Sequence, residues 1–293
     1  MATVAAFRRD LFVGTAEYYE RYRVPYPSSL IEDLSEQASL TGSGTLLDLA
    51  CGTGQLTFAL HERFARTWAV DQEPGMIEVV ARKAAAIGEA GTADGAGTAG
   101  KTGTAGGAGT AGGGIRAAVG RAEELPLPAA SLDLAVIGNA FHRFPRDVVA
   151  GLLYGWLRPG GHLALVWGGG PEANPPSDGL APWQEAMHAV LARWRPPGRI
   201  PASYERDRAE RPDVTVLTDA GFEYLGKREY SVAHEWTTES LLGHAYSTSG
   251  LSRAALGDAV PEFEADLRRA LLPHTPFRHR LSFACELSVR PDR

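Results

Sequence analysis

The run Thr45-Leu46-Leu47-Asp48-Leu49-Ala50 is short and apolar, ends in the turn Cys51-Gly52-Thr53-Gly54, and is followed by Leu56, Ala59 and Leu60 at helical spacing. An apolar run broken by closely spaced glycines and resumed as a helix opens a parallel βαβ unit. Glycine lets the backbone approach a ligand closely, and the helix that follows presents outward-pointing backbone N–H groups at its start. A second strand, Thr67 to Val70 closed by Asp71, and a helix from Met76 to about Ala86 continue the pattern. This pitch predicts an α/β fold around a parallel sheet.

Further strands are expected at Ile115–Val119, Leu132–Ile137 and His162–Trp167, with a helix from about Arg146 to Leu157 stopped by Arg158-Pro159-Gly160-Gly161. Between Gly88 and Gly114, 12 of 27 residues are glycine and most others are Ala or Thr, so the segment has nothing with which to build a core and reads as a flexible surface loop. Before the first strand, Pro25 and Pro27 interrupt the aromatic stretch Tyr18 to Tyr26, and a helix carrying Leu30, Ile31 and Leu34 should start near Ser28 as N-cap. After it, a Pro-rich loop leads to an amphipathic helix Trp183 to Trp194. Two strand-like segments, Phe222–Val232 and Arg280–Val289, should pair at the sheet edge, with helices near Thr238–Tyr246 and Pro261–Leu272 between them.

A chain of 293 residues with 44% hydrophobic and 22% charged residues has an ordinary globular composition. No apolar run approaches the roughly 20 residues that span a bilayer, and none of signal-peptide length follows Arg8 and Arg9, so a cytoplasmic protein without a membrane partner is expected. Cys51 and Cys285 lack metal-ligand spacing, and no metal is expected. A net charge of −6 argues against nucleic acid and suits a neutral or cationic small molecule.

The turn does not satisfy the dinucleotide fingerprint Gly-x-Gly-x-x-Gly, because Thr57 stands at its third glycine. Asp48 to Gly54 instead resembles the acidic-x-Gly-x-Gly-x-Gly motif of class I S-adenosylmethionine-dependent methyltransferases, with Ala50 in place of the first glycine. Gly120-Arg121-Ala122-Glu123-Glu124-Leu125-Pro126 resembles that family's Gly-Asp-Ala-Glu-x-Leu-Pro stretch, with Arg121 for Asp, and Ser131-Leu132-Asp133 and Leu157-Arg158-Pro159-Gly160-Gly161 match two later landmarks in family order. Tyr19, Tyr22, Arg23, Tyr26 and Pro27 look like the Tyr-x-x-Tyr-Arg-x-x-Tyr-Pro entry segment of one small-molecule branch.

The resemblance implies a Rossmann-like, doubly wound seven-stranded sheet with an antiparallel last strand, an N-terminal helical lid (1–44), a cofactor-binding core (45–168) and a cap region completing the sheet (169–293). It implies S-adenosyl-L-methionine as cofactor, held by Tyr22, Asp48, Ala50, Gly52, Gly54, Asp71, Gln72, Met76, Ala122, Glu123, Asn139 and Phe141. Asp71 is expected to accept the ribose hydroxyls, and Ala122 and Glu123 to meet the adenine. Tyr19 belongs to the lid and, with His142, is a candidate catalytic residue; His142 follows the fourth strand and is placed to take a proton from the acceptor near neutral pH. Trp183, Trp194 and Tyr246 are candidates for an acceptor pocket, and Glu172, Asp178 and Glu185 for meeting a cationic acceptor.

Methyl transfer from a sulfonium relies mainly on placing the nucleophile about 3 Å from the methyl carbon in line with the breaking bond. The expected activity is transfer to N, O or C of a small molecule, in the manner of a secondary-metabolite tailoring enzyme, by a monomer or homodimer. Two alternatives stand beside it. A nucleic-acid methyltransferase would show Asn/Asp-Pro-Pro-aromatic where Gly138-Asn139-Ala140-Phe141 stands; a cofactor-binding cyclase or isomerase would share every motif above.

Overall fold

The computed structural model describes residues 11–92, 109–111, 114–172, 179–197 and 208–292. In chain order the principal elements are α1 (Ala16–Tyr22), α2 (Ser28–Gln37), β1 (Thr45–Leu49), α3 (Gln55–Leu60), β2 (Arg66–Asp71), α4 (Pro74–Thr92), β3 (Gly109–Ala111), β4 (Ile115–Val119) and β5 (Leu132–Gly138). There follow α5 (Arg146–Trp156), β6 (Leu157–Gly168), α6 (Pro182–Trp194), α7 (Asp213–Asp219), β7 (Glu223–Trp236), α8 (Thr238–Tyr246), α9 (Arg253–Leu256), α10 (Val260–Leu271) and β8 (Phe277–Val289).

The strands form one sheet in the order β3-β4-β2-β1-β5-β6-β8-β7. β4, β2, β1, β5 and β6 run parallel, and β8, the last strand, inserts antiparallel between β6 and β7. These seven strands match the expected mixed sheet. The three-residue β3 adds an eighth, antiparallel to β4 at the far edge. It lies inside the Gly/Ala/Thr segment, and α4 runs into that segment as far as Thr92, so regular structure enters a stretch expected to be loop throughout. Residues 93–108 and 112–113 of that expectation lie outside the described residues.

Central strands are covered on both faces, which is why β1 is apolar without alternation. Leu46 packs on one side with Leu30, Leu34, Leu134 and Phe263, and Leu47 and Leu49 on the other with Ile137, Phe141, Val149 and Leu153. α2 begins at Ser28 as expected, but Pro27 occupies the cap position and no side chain caps the helix. Trp183, Trp194 and Tyr246 belong to this packing rather than to an acceptor pocket. Trp183 lies against Phe277, while Trp194 and Tyr246 both contact Phe263 and spend their polar atoms on Asp266 and Glu264. An amphipathic pattern identifies such aromatics as buried without saying what they are buried against. Both cysteines are free and buried. Among the described residues, no helix is long and apolar enough to cross a membrane.

Candidate active site

The turn after β1 bends through three left-handed residues, Ala50 (φ 57°), Gly52 (φ 55°) and Gly54 (φ 84°). Gly52 needs its missing side chain, because a Cβ there would crowd the Tyr19 ring at 3.3 Å. Ala50 holds the same conformation with a Cβ, a strained arrangement that costs about 1–2 kcal/mol. The turn is clamped from β2. Asp71 Oδ2 accepts the Gly52 N–H and Oδ1 accepts the Glu73 N–H, each at 2.9 Å. Each oxygen keeps a lone pair for a further donor.

Asp48, at the end of β1, is buried and accepts Thr57 N–H (2.8 Å) and Thr57 Oγ–H (2.6 Å) through one oxygen, tying the strand to the first turn of α3. Burial pushes its carboxyl up to about 7 against the two Thr57 bonds, and the nearby Asp71 adds to the rise. Asp71 is likewise raised, chiefly by burial. Arg143 lowers Asp71 against this rise, and two carboxylates held up by burial suit a ligand that brings positive charge.

Above the turn, α1 lays the Tyr19 ring against Gly52. Tyr19, Tyr26, Asp48, Ala50, Cys51, Gln55, Leu56 and Gly138 line a small cavity, partly open to solvent, at the carboxyl ends of β1 and β5. This is where open α/β sheets bind ligands. The Arg23 guanidinium covers Tyr19 at 4.8 Å, and Lys83 bridges Glu20 and the Thr53 carbonyl oxygen, so α1 is fastened to the turn.

The structure brings together Tyr19, Asp48, Ala50, Gly52, Gly54 and Asp71, with Gln72 beside Asp71, as the sequence suggests. Ala122 and Glu123 form a single 3-10 turn after β4, with Ala122 buried and Glu123 bonded by Arg121 at 3.0 Å. Four expected ligands have other work for their side chains. Tyr22 faces α8, where a Cβ on Gly243 would fall inside its ring. Met76 is buried with Ala16 and Val79 beneath α1, and Phe141 is fully enclosed by the core. Asn139, left-handed at φ 52°, bridges strand ends: its Oδ1 accepts Gly168 N–H (3.0 Å) and its Nδ2 donates to Gly168 O (3.1 Å) and Tyr26 Oη (3.2 Å).

Sequence reasoning missed Tyr26, Cys51, Gln55, Leu56 and Gly138 as cavity residues. Tyr26 carried a signal as the last tyrosine of the entry segment. Gly138 is required because a Cβ there would lie 2.6 Å from the Tyr26 hydroxyl.

His142 does not behave as a group titrating near neutrality. Burial, and then the positive charges of Arg143, Arg208 and Arg146, push it down to about 3, so the ring is neutral throughout the physiological range. Its Nε2 accepts from Arg143 Nε at 3.2 Å, and the ring tilts against Trp167 at a centroid distance of 5.7 Å. Of the acids expected to meet a cationic acceptor, Glu172 lies 3.9 Å from His244, Glu185 is exposed, and Asp178 lies outside the described residues.

A protein family described as a methyltransferase domain matches residues 47–165, from β1 to β6. The chain is 25% identical over 236 residues to an uncharacterized methyltransferase of Schizosaccharomyces pombe, covering 80% of this chain and 77% of the relative. It is 32% identical over 163 residues to an uncharacterized methyltransferase of Mycobacterium tuberculosis, covering 55% of this chain and about half (54%) of that relative. Among solved structures, a type II methyltransferase of Anaeromyxobacter dehalogenans superposes with a TM-score of 0.53 at 23% identity, covering 92% of this chain and 98% of that one. The YcgJ protein of Bacillus subtilis superposes at 0.52 with 15% identity, covering 91% and 100%. These two show a shared fold.

Proposed function

We propose that the chain is a class I S-adenosylmethionine-dependent methyltransferase that takes this cofactor and transfers its methyl group to an N, O or C atom of a small molecule, as a secondary-metabolite tailoring enzyme. The observation that carries the reading is the cavity over the glycine turn, with buried Asp48 and Asp71 at its floor.

When bound, the cofactor supplies a methyl group already activated by its sulfonium. The residues of this chain have the task of binding and placement. Asp71, held in place by its two backbone bonds, would offer a lone pair on each oxygen to the ribose hydroxyls. Asp48, Tyr19 and Tyr26, which line the cavity, would hold the positively charged methionine end, and Ala122 and Glu123, in the turn after β4, would meet the adenine. The α1 lid excludes water, which strengthens these electrostatic contacts. A neutral His142 orients the acceptor instead of taking its proton, so placement carries the rate; effects of this kind supply about 7–11 kcal/mol.

Support for a small acceptor comes from the net charge of −6, which offers poor electrostatic attraction for a phosphate backbone. The test is to incubate the purified chain with the cofactor and a panel of amine, hydroxyl, enol and carboxylate acceptors. A product heavier by one methyl group, together with S-adenosylhomocysteine, is the expected result. A product of unchanged mass would replace this reading with a cyclase or isomerase, and activity confined to oligonucleotides would replace it with nucleic-acid methylation.

A further inference from the structure

Two unsatisfied donors beside three guanidinium groups narrow the chemistry of the acceptor. Arg143 donates to His142 Nε2, and the ring is neutral, so its proton resides on Nδ1. That buried Nδ1–H has no partner, and the buried indole Nε1–H of the neighbouring Trp167 has none either. Indole nitrogen only donates, so both orphans require an acceptor. Trp183 with His279 and Trp236 with His244 are neighbouring pairs that also hold unpartnered buried nitrogens; the His142–Trp167 pair differs in lying at the carboxyl ends of β5 and β6, where open α/β sheets bind ligands, and among arginines that attract a ligand oxygen.

The surroundings select the charge of that oxygen. Arg143, Arg208 and Arg146 are the charges that act on the His142 ring, and all are positive. The Arg208 guanidinium lies over the Trp167 ring, 3.8 Å from its centroid. Arg146 and Arg208 converge on the single buried carboxylate of Asp213, at 2.8 and 2.7 Å. Glu286, which also faces Arg208, is raised by burial and by Asp213, with Arg208 and Lys227 acting against the rise.

We infer that the ends of β5 and β6 around His142, Trp167 and Arg208 bind an oxyanion, a carboxylate or phosphate, carried by the methyl acceptor. The oxyanion accepts the His142 Nδ1–H and the Trp167 Nε1–H, and the arginines balance its charge. His142 is then a binding donor. The net charge of the chain suggested a neutral or cationic acceptor, but the local field at this end of the sheet has the opposite sign. The role of the oxyanion as part of the acceptor rests on the methyltransferase reading; its binding does not.

The experiment separates the two. Acetate, citrate and inorganic phosphate are titrated at constant ionic strength while tryptophan fluorescence is recorded for the native chain and for Trp167→Phe. A saturable change with citrate or phosphate that vanishes in Trp167→Phe is expected, and the responding anion distinguishes carboxylate from phosphate. Arg208→Gln should weaken the apparent affinity at least tenfold and Arg208→Lys less; His142→Phe, which keeps a ring against Trp167, should also weaken it. Melting curves confirm that each variant is folded, and calorimetry with S-adenosylhomocysteine is run on the same preparations. No saturable response to any of the three anions while S-adenosylhomocysteine still binds would overturn the oxyanion site alone. A saturable response without S-adenosylhomocysteine binding would support the site and remove the methyltransferase reading.

Discussion

Arg23 Nε donates to Ser247 Oγ at 2.8 Å, joining the entry segment to the turn that ends α8 across 224 positions of sequence. The same guanidinium lies over Tyr19, so one side chain links α1, the end of α8 and the wall of the cavity. The Tyr18–Tyr246 contact, with ring centroids 5.2 Å apart, reinforces the joint.

Arg23→Ala should therefore loosen α1. The bond is partly exposed, so a stability loss of about 1 kcal/mol, or roughly 2–4 °C in melting temperature, is expected. S-adenosylhomocysteine affinity should fall several-fold. Ser247→Ala should reproduce part of the effect, and a double-mutant cycle should return a coupling of about 0.5–1 kcal/mol. Additive effects would mean that the two residues act independently.

Asp71→Ala removes two backbone partners and the acceptor proposed for the ribose. Losing a hydrogen bond involving a charged group costs about 1.5–3 kcal/mol, or roughly 10- to 150-fold in affinity. Calorimetry should show that loss for the cofactor, with a lowered melting temperature because the Gly52 and Glu73 N–H groups lose their acceptor. Asp71→Asn, which keeps one acceptor oxygen, should fall between. Unchanged affinity in both variants would place the ribose elsewhere.

Ala50→Gly tests the strain in the turn. Relief of the left-handed penalty, about 1–2 kcal/mol, is offset by about 0.4–1 kcal/mol of added freedom in the unfolded chain. A small net gain, roughly 1–3 °C in melting temperature, is expected with cofactor affinity unchanged. A drop of several degrees would show that the Ala50 side chain contributes packing that outweighs its backbone strain.

Much of this site was legible because its signals are local. An apolar run, closely spaced glycines and a carboxylate at the next strand end fix β1, the turn, α3 and Asp71 within some 25 residues, and each carries its own conformational reason. The side chains that proved to be elsewhere depend on tertiary register. Asn139 spends both ends of its amide on Gly168 because β5 lies beside β6, with Gly138 opposite Val166. Phe141 follows the same strand and turns into the core, which its neighbours in sequence do not reveal. The Arg208–Trp167–His142 stack joins residues from three separate segments, and its charge is invisible in a chain whose total is negative.

His142 gives a pH prediction with a definite sign. Its folded value, lowered to about 3 by burial and three arginines, means that the ring stays neutral above that pH. Rate against pH should show no limb between pH 5 and 9 that His142→Phe removes; the variant should mainly raise the Michaelis constant for the acceptor. A limb near pH 6.5 present only in the native chain would restore the residue as a general base.

Asp48 links cofactor binding to protons. Its folded value is raised from 3.8 to about 7 by burial, with Asp71 adding to the rise. The folded chain thus binds a proton that the unfolded chain releases at lower pH, and the associated stability is complete below about pH 4 and lost as pH rises through 7. The cofactor-free chain should melt progressively lower between pH 5 and 8. The cofactor brings a sulfonium and an ammonium, which favour the charged carboxylate, so binding below pH 7 should expel a proton. Affinity should then climb by roughly tenfold from pH 5.5 to 7. Calorimetry in two buffers of different ionisation enthalpy should detect the released proton directly, and S-adenosylhomocysteine, which lacks the sulfonium charge, should release less. Asp48→Asn keeps an acceptor for Thr57 and removes the titration, so it should flatten the pH dependence and abolish the proton release. Equal proton release by the native chain and Asp48→Asn would assign the linkage to another group, with Asp71 the next to substitute.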